Sequence, residues 1–222
     1  MSTSNLAIIA AVFAVTLGPA NSVTTTVAPM QVKLVLECNV TQGTAAIFAE
    51  ADCDQKLQQI VVRDPSGADV FKSWVAGERG LGLQGFKFET SEGTAAEVLA
   101  NYPEGNYLIQ ARTTTTSGAL GTAYLSHRIL RPVTITYPLN GAVNVPSTGL
   151  VLTWTPTADA AGYQIILEQG DSDGLKIDMP PGCHSLTVPD GFLRSRTHTT
   201  FEVMAEAQNG NRTAIEVEFT TL

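Results

Sequence analysis

The chain has 222 residues, 44% of them hydrophobic and 15% charged, and a net charge of −8. That apolar share excludes a disordered polymer, and the acidic balance argues against neutralising a nucleic-acid backbone or docking on anionic lipid. A charged share below the usual ~25%, with abundant Thr, Ala, Val and Gly, suits short strands joined by turns.

The first charged residue is Lys33. Before it, "LAIIAAVFAVTLG" (residues 6–18) followed by "PANS" has the apolar region and small-residue site of a secretory signal, with cleavage expected after Ala20 or, alternatively, after Ser22. Against this, the leading "MSTSN" has no Lys or Arg. Thirteen apolar residues fall short of the ~20 that span a bilayer, and no second apolar stretch follows. Export without an integral membrane segment is the expectation, with the mature chain secreted, periplasmic or at the cell surface.

After a Thr-rich lead, "QVKLVLEC" alternates, with Val32, Leu34, Leu36 and Cys38 on one face and Lys33 and Glu37 on the other. Period two predicts a half-buried strand. "TAAIFAE" and "LQQIVVR" read as two further strands, "DPSG" (64–67) as a turn with Pro second and Gly fourth, and "ADVFKSW" and "GFKFET" as strands. "SEGTAAEVLANYPEG" is the one plausible helix, stopped by Pro103 and Gly105. "NYLIQAR" and "GTAYLSHRI" close this half, and "LRPV" (130–133) reads as the domain boundary.

Beyond it come "VTITYP", "LVLTWTP", "GYQIILEQ", "LKIDMP", "HSLTVP", "TTFEVMAEAQ" and "TAIEVEFTT", separated by turn signals such as "LNGA", "DSDG" and "PDGF". Seven short strands in about 90 residues is the spacing of an immunoglobulin-like sandwich. Residues 132–222 resemble a fibronectin type III domain in Pro138, in Trp154 within "LTW", in Tyr163 within "GYQIIL", and in "LTVPDGFL" and "FEVMAEAQNGNRT". The resemblance implies that Trp154 and Tyr163 pack between two sheets. The family's Leu-x-Pro-x-Thr-x-Tyr corner is altered: Leu193 and Thr197 match, but Ser195 stands for proline and Thr199 for tyrosine. "DPSG", "NYPEGNY" and "SHRI" in that order resemble the leading domain of exported bacterial proteins that place it before a type III domain. The expected fold is all-β: two tandem immunoglobulin-like sandwiches, residues 31–130 and 132–222, after a signal at 1–20.

Motifs of chemistry are sparse. Three cysteines cannot all pair, and a tight hairpin at 39–43 would hold Cys38 and Cys53 more than ~20 Å apart, beyond the ~7 Å a disulfide spans unless the second strand bends. The histidines, His127, His184 and His198, show no metal-ligand spacing; Cys183 and His184 are adjacent and point apart in an extended chain. "GERGLGLQG" lacks the Lys and Ser/Thr of a phosphate loop, and "DSDG" begins like a calcium loop without its distal Glu. "NVT" at Asn39 and "NRT" at Asn211 are glycosylation acceptors in a eukaryotic host.

These residues predict no catalytic residue, no metal and no cofactor. They point to an interaction, adhesion or scaffold protein that binds a protein partner or associates with itself through edge strands. A carbohydrate-binding module is the alternative, with Trp74 in "FKSWVAGERG" the candidate ligand-binding platform for a polysaccharide and a strand-end core position its competing reading; a hydrolase is a third reading.

Overall fold

A computed structural model describes residues 27–74, 83–114, 118–170 and 174–222. The signal-like stretch 1–20, most of "GERGLGLQG" and Asp171 to Asp173 of "DSDG" lie outside the described residues. Among the described residues 63% are in strands and 4% in helix, so the chain is nearly all β.

The elements follow the alternation. β1 (Val27–Pro29) and β2 (Gln31–Asn39) lead into a turn in which the Asn39 side chain accepts from Gln42 N at 3.1 Å and Gly43 takes φ 71°, a left-handed position natural to glycine. β3 (Thr44–Arg63) is one strand of 20 residues where the sequence reads as two. The alternation runs unbroken through "ADCDQK": Ala49, Ala51, Cys53 and Leu57 are buried while Asp52 and Asp54 are exposed, so the intervening residues stay extended. The "DPSG" turn forms, with Asp64 Oδ1 accepting from Ser66 N and Ala68 N, both at 2.9 Å, and Gly67 at φ 87°. β4 (Asp69–Trp74), β5 (Leu83–Glu89) and the two-residue β6 (Gly93–Thr94) follow.

The single helix, α1 (Ala95–Asn101), lies inside the expected segment. Thr94 caps it: its hydroxyl accepts from Glu97 N at 3.3 Å, and Glu97 Oε2 accepts in return from Thr94 N at 2.9 Å. β7 (Gly105–Thr113) and β8 (Gly118–Leu125) come next. Then follow β9 (Thr134–Tyr137), β10 (Ala142–Val145), β11 (Val151–Thr155), β12 (Ala160–Gln169), β13 (Leu175–Met179), β14 (Ser185–Thr187), β15 (His198–Ala207) and β16 (Arg212–Thr221). Seven of these eight match the sequence expectation. β10 does not: its "AVNV" is too short to alternate visibly, and Asn144 interrupts it at φ 57°.

The chain divides into two compact units, one of residues 1–33, 49–88 and 105–124, the other of 34–48, 89–104 and 125–222. In the first, β7 lies between β8 and β3, β1 runs parallel beside β8, and β4 and β5 pair with β3. Ile60, Val62, Tyr107 and Ile109 are buried on its inner face. Phe71 stacks there on Phe88 at 4.7 Å between centroids and on Phe86 at 6.2 Å, which ties β4 to β5.

The second unit contains a two-sheet sandwich. β13, β12, β15 and β16 run antiparallel, with β10 parallel on β16; β14, β11 and β9 form the opposing sheet. Residues 37–39 of β2 also pair with β16, in parallel. Between the sheets lies a continuous core that includes Trp154, Tyr163, Ile165, Leu167, Phe201, Val203 and Phe219. Trp154 is 2% exposed and meets Tyr163 and Phe201 edge-on, with centroids 6.0 and 6.4 Å away. Its indole N–H finds no acceptor among the described residues, so the ring is held by packing, while the backbone N–H donates to the His184 carbonyl at 3.0 Å. Tyr163 is itself buried, and its hydroxyl accepts from Thr157 N at 3.0 Å.

The altered corner has its own solution. Thr199, where the resembled family has tyrosine, is fully buried, and Gln169 of β12 fills the gap: its Nε2 donates to Thr199 Oγ1 at 2.8 Å and its Oε1 accepts from Arg194 N at 2.8 Å. Thr221 closes the same corner by donating to the Arg194 carbonyl at 2.6 Å.

Candidate functional site

Trp74 is the last residue of β4, and β4 pairs with β3 through Gln59↔Trp74, Ile60↔Ser73, Val61↔Lys72 and Val62↔Phe71. On the other side of β3 the register is Gln59↔Arg112, Ile60↔Ala111, Val61↔Gln110 and Val62↔Ile109. Residues directly opposed in a ladder share a face. Ile60, Val62, Ala111 and Ile109 are buried, so that set faces the core and the alternate set faces out.

The outward set forms rows across three strands. Trp74, Gln59 and Arg112 make one row; Lys72, Val61 and Gln110 make the next. Trp74 is 69% exposed, which answers the question of whether it packs in the core: it does not. At the far end of the face Asp69 binds Arg63 at 2.9 Å and Lys72 at 3.0 Å, and Arg63 also bonds Gln110. These bonds hold the Asp69 carboxyl below its usual range, through Lys72 first and Arg63 after it. Arg112 is exposed and has no ion-pair or hydrogen-bond partner among the described residues, and neither does the Gln59 amide. A small crevice of about 10 Å³ lies beside Trp74, lined by Leu57 and Ile60 of the buried set together with Gln58, Gln59, Ser73 and Leu83.

Sequence reading singled out Trp74 but not Gln59 or Arg112. The alternation of "NYLIQAR" puts Arg112 outward, and the signal ended there: which outward residues stand beside Trp74 depends on strand register.

The other singled-out residues fall in separate places. His127 lies just past β8, with Nε2 2.8 Å from the Tyr102 carbonyl and its backbone N–H donating to Glu104 at 3.2 Å. His184 is exposed, 3.4 Å from the Gly182 carbonyl, and His198 lies 3.3 Å from Glu218. Cys183 packs partly against the sandwich core; Cys38 and Cys53 are buried, and all three are free thiols. Burial, then Glu37, pushes the Cys38 thiol up. Among the described residues no group of three His, Cys, Asp or Glu side chains is placed to hold a metal ion.

Asn211 is no open glycosylation acceptor in the folded chain. It is 1% exposed, its Nδ2 donates to the carbonyls of Ser126 and Arg128 at 2.7 and 2.9 Å, and its Oδ1 accepts from Leu36 N at 3.0 Å. With Thr213, whose hydroxyl donates to the Leu130 carbonyl at 3.0 Å, it fixes the extended stretch that leads into β9.

A second feature lies on the sandwich. Val143 on β10 is 69% exposed, and Leu139 and Leu222 beside it are 62% and 63% exposed. Backbone bonds tie the two flanking residues to opposite ends of β10: Ala142 N donates to the Leu139 carbonyl at 3.0 Å, and Leu222 N to the Val145 carbonyl at 2.7 Å. Among the described residues no helix is long and apolar enough to cross a membrane.

No family model matches the chain, and no curated protein matches it. Solved structures similar to it include a tetra-tandem repeat from the extending region of a large adhesion protein, at 15% identity over 87% of this chain and a TM-score of 0.33; this chain spans 50% of that one. The fibronectin(III)-like modules of Clostridium thermocellum CbhA match at 10% identity, 86% of this chain, 94% of that chain and a TM-score of 0.32. A two-domain fibronectin type III segment from chicken tenascin matches at 10% identity, 85% and 98% coverage, and a TM-score of 0.34.

Proposed function

We propose that this chain is a noncatalytic, exported interaction protein, an adhesion or scaffold component that binds a protein partner or a second copy of itself. In this reading a signal at 1–20 precedes two tandem immunoglobulin-like domains, 31–130 and 132–222, the second of fibronectin type III type. The core drawn from residues 133 to 219, with Trp154 against Tyr163, supports the type III assignment. The observation that carries the interaction reading is the aliphatic surface of Leu139, Val143 and Leu222. Three apolar side chains more than 60% exposed, on β10 and at its two ends, offer apolar area whose burial stabilises a contact by roughly 25 cal/mol per Å².

The contact is through side chains more than through strand addition. Asn144 bulges β10 at φ 57°, and the edge strand β13 presents Lys176 and Asp178, two devices that discourage edge-to-edge pairing. Sedimentation of the full chain across a hundredfold concentration range, and retention of labelled chain by proteins of the source envelope, test the proposal. The expected result is self-association or protease-sensitive retention that is lost in a Leu139→Lys, Val143→Lys double variant. A monomer at all concentrations with no protein retention overturns it.

A further inference from the structure

We propose that the row Trp74–Gln59–Arg112, on the outer face of β4, β3 and β7, is a binding subsite for an acidic polysaccharide, a chain of pyranose rings bearing carboxylates. The site is separate from the β10 surface and does not rest on the protein-interaction reading.

Three observations converge on that chemistry. The first is the indole. It stands 69% exposed at the end of a strand whose other face carries stacked phenylalanines, so most of its surface is open to solvent. The apolar C–H face of a sugar ring packs on an aromatic plane. The row beside Trp74 is an amide and a guanidinium.

The second is the pair of unused polar groups. Gln59 and Arg112 lie on the adjacent and next strands, so their Cα atoms stand about 5 and 10 Å from that of Trp74. That span suits one or two sugar rings, with one ring on the indole, hydroxyls on the amide and a carboxylate on the guanidinium fork. Arg63 and Lys72 are already engaged by Asp69; Arg112 has no such partner among the described residues.

The third is charge. Over the paired span 59–63, 69–74 and 108–112 the cations Arg63, Lys72 and Arg112 meet one carboxylate, Asp69, on a chain whose net charge is −8. A local cationic face on an acidic protein selects an anion. One free guanidinium matches a polymer with charges a sugar residue apart, not a nucleic acid with a charge every ~1.7 Å, which the rest of the chain repels.

The test uses the full chain in native gels cast with polygalacturonate, with its fully methyl-esterified form, with poly-glutamate, or with single-stranded DNA. Polygalacturonate is expected to retard the chain, and the methyl ester, which keeps the ring and removes the charge, to do so at least tenfold more weakly. Trp74→Ala should abolish the retardation while Trp74→Tyr keeps most of it. Arg112→Gln should remove the preference for the acid over the ester. Since both positions are exposed, unchanged near-ultraviolet circular dichroism from Trp154 verifies the fold. Retardation by poly-glutamate or DNA equal to that by polygalacturonate and insensitive to Trp74→Ala would mean a charge effect or another polymer class, and overturns the proposal. So does the absence of retardation by polygalacturonate.

Discussion

The chain has two tryptophans, and its two units use them in opposite ways. Trp154 sits inside β11, the central strand of a three-stranded sheet, at an inward position between β9 and β14. Trp74 sits at the end of β4, on the outward side of a ladder paired to β3. The same residue type is 2% exposed in one place and 69% in the other. What separates them is parity along the strand, since both occupy short runs rich in β-branched and aromatic residues. The outer faces differ too. On the sandwich, β15 and β16 set Glu202 opposite Glu216, whereas the face around Trp74 carries Arg63, Lys72 and Arg112.

The largest expected effect comes from breaking the buried member of the pair. Trp154→Ala removes a side chain that meets Tyr163 and Phe201 and leaves a cavity between two sheets, which costs about 3–5 kcal/mol. Urea unfolding should show a lower midpoint by that measure, or no folded sandwich at all. Trp154→Phe should cost far less, because the indole N–H makes no hydrogen bond that the phenyl ring would forfeit. If Ala costs under 1 kcal/mol, Trp154 is not the core residue that its surroundings make it.

Much of this was legible in the chain. The sandwich strands follow from alternation and turn residues, the helix from "SEGTAAEVLANYPEG" with its stops at Pro103 and Gly105, and the fate of Trp154 from the resemblance that "LTW" and "GYQIIL" carry. What was not legible depended on pairing. "ADCDQK" looks like a turn by composition, yet its alternate residues bury and keep β3 continuous. β10 is visible only as the partner of β16, since four residues with a left-handed Asn144 carry no pattern. Arg112 lies 38 positions from Trp74 in sequence, and only the register of two ladders with β3 brings them into one row. Likewise Asn211 reads as a glycosylation acceptor until its partners, Leu36, Ser126 and Arg128, are known.

An intermediate effect sharpens the contrast between the two outer faces. Glu202 is half-buried across from Glu216 on β16 and Ile166 on β12; burial, then Glu216, Glu37 and Glu168, push its carboxyl up to about 7, while Lys176 on β13 pulls the other way. The folded chain therefore keeps a proton between the ordinary carboxyl range and pH 7 that the unfolded chain has released. Stability is greatest on the acid side of this window and falls as pH rises through 7. Glu37 is raised by burial against its Arg212 partner, which adds in the same direction. The loss between pH 5 and 8 should be about 2 kcal/mol by linkage. Glu202→Gln, which cannot ionise, should be more stable than the native chain at pH 8 and keep only the shallower slope that Glu37 leaves across the window. Urea midpoints at pH 5, 6, 7 and 8 decide it; equal slopes in both proteins would falsify the role of Glu202.

The smallest effect belongs to the exposed tryptophan, and its smallness is the point. Trp74→Ala deletes a side chain that is mostly in water, so its stability cost should stay within ~0.5 kcal/mol, an order of magnitude below that of Trp154→Ala. Fluorescence separates the two residues directly. In the native chain acrylamide should quench one emitting population readily, from Trp74, and spare a second, bluer one from Trp154. In the Trp74→Ala variant the accessible population should vanish while the protected one and the urea midpoint remain. A variant that unfolds, or that keeps the quenchable population, would place Trp74 back among the core residues and remove the aromatic platform from the face it shares with Gln59 and Arg112.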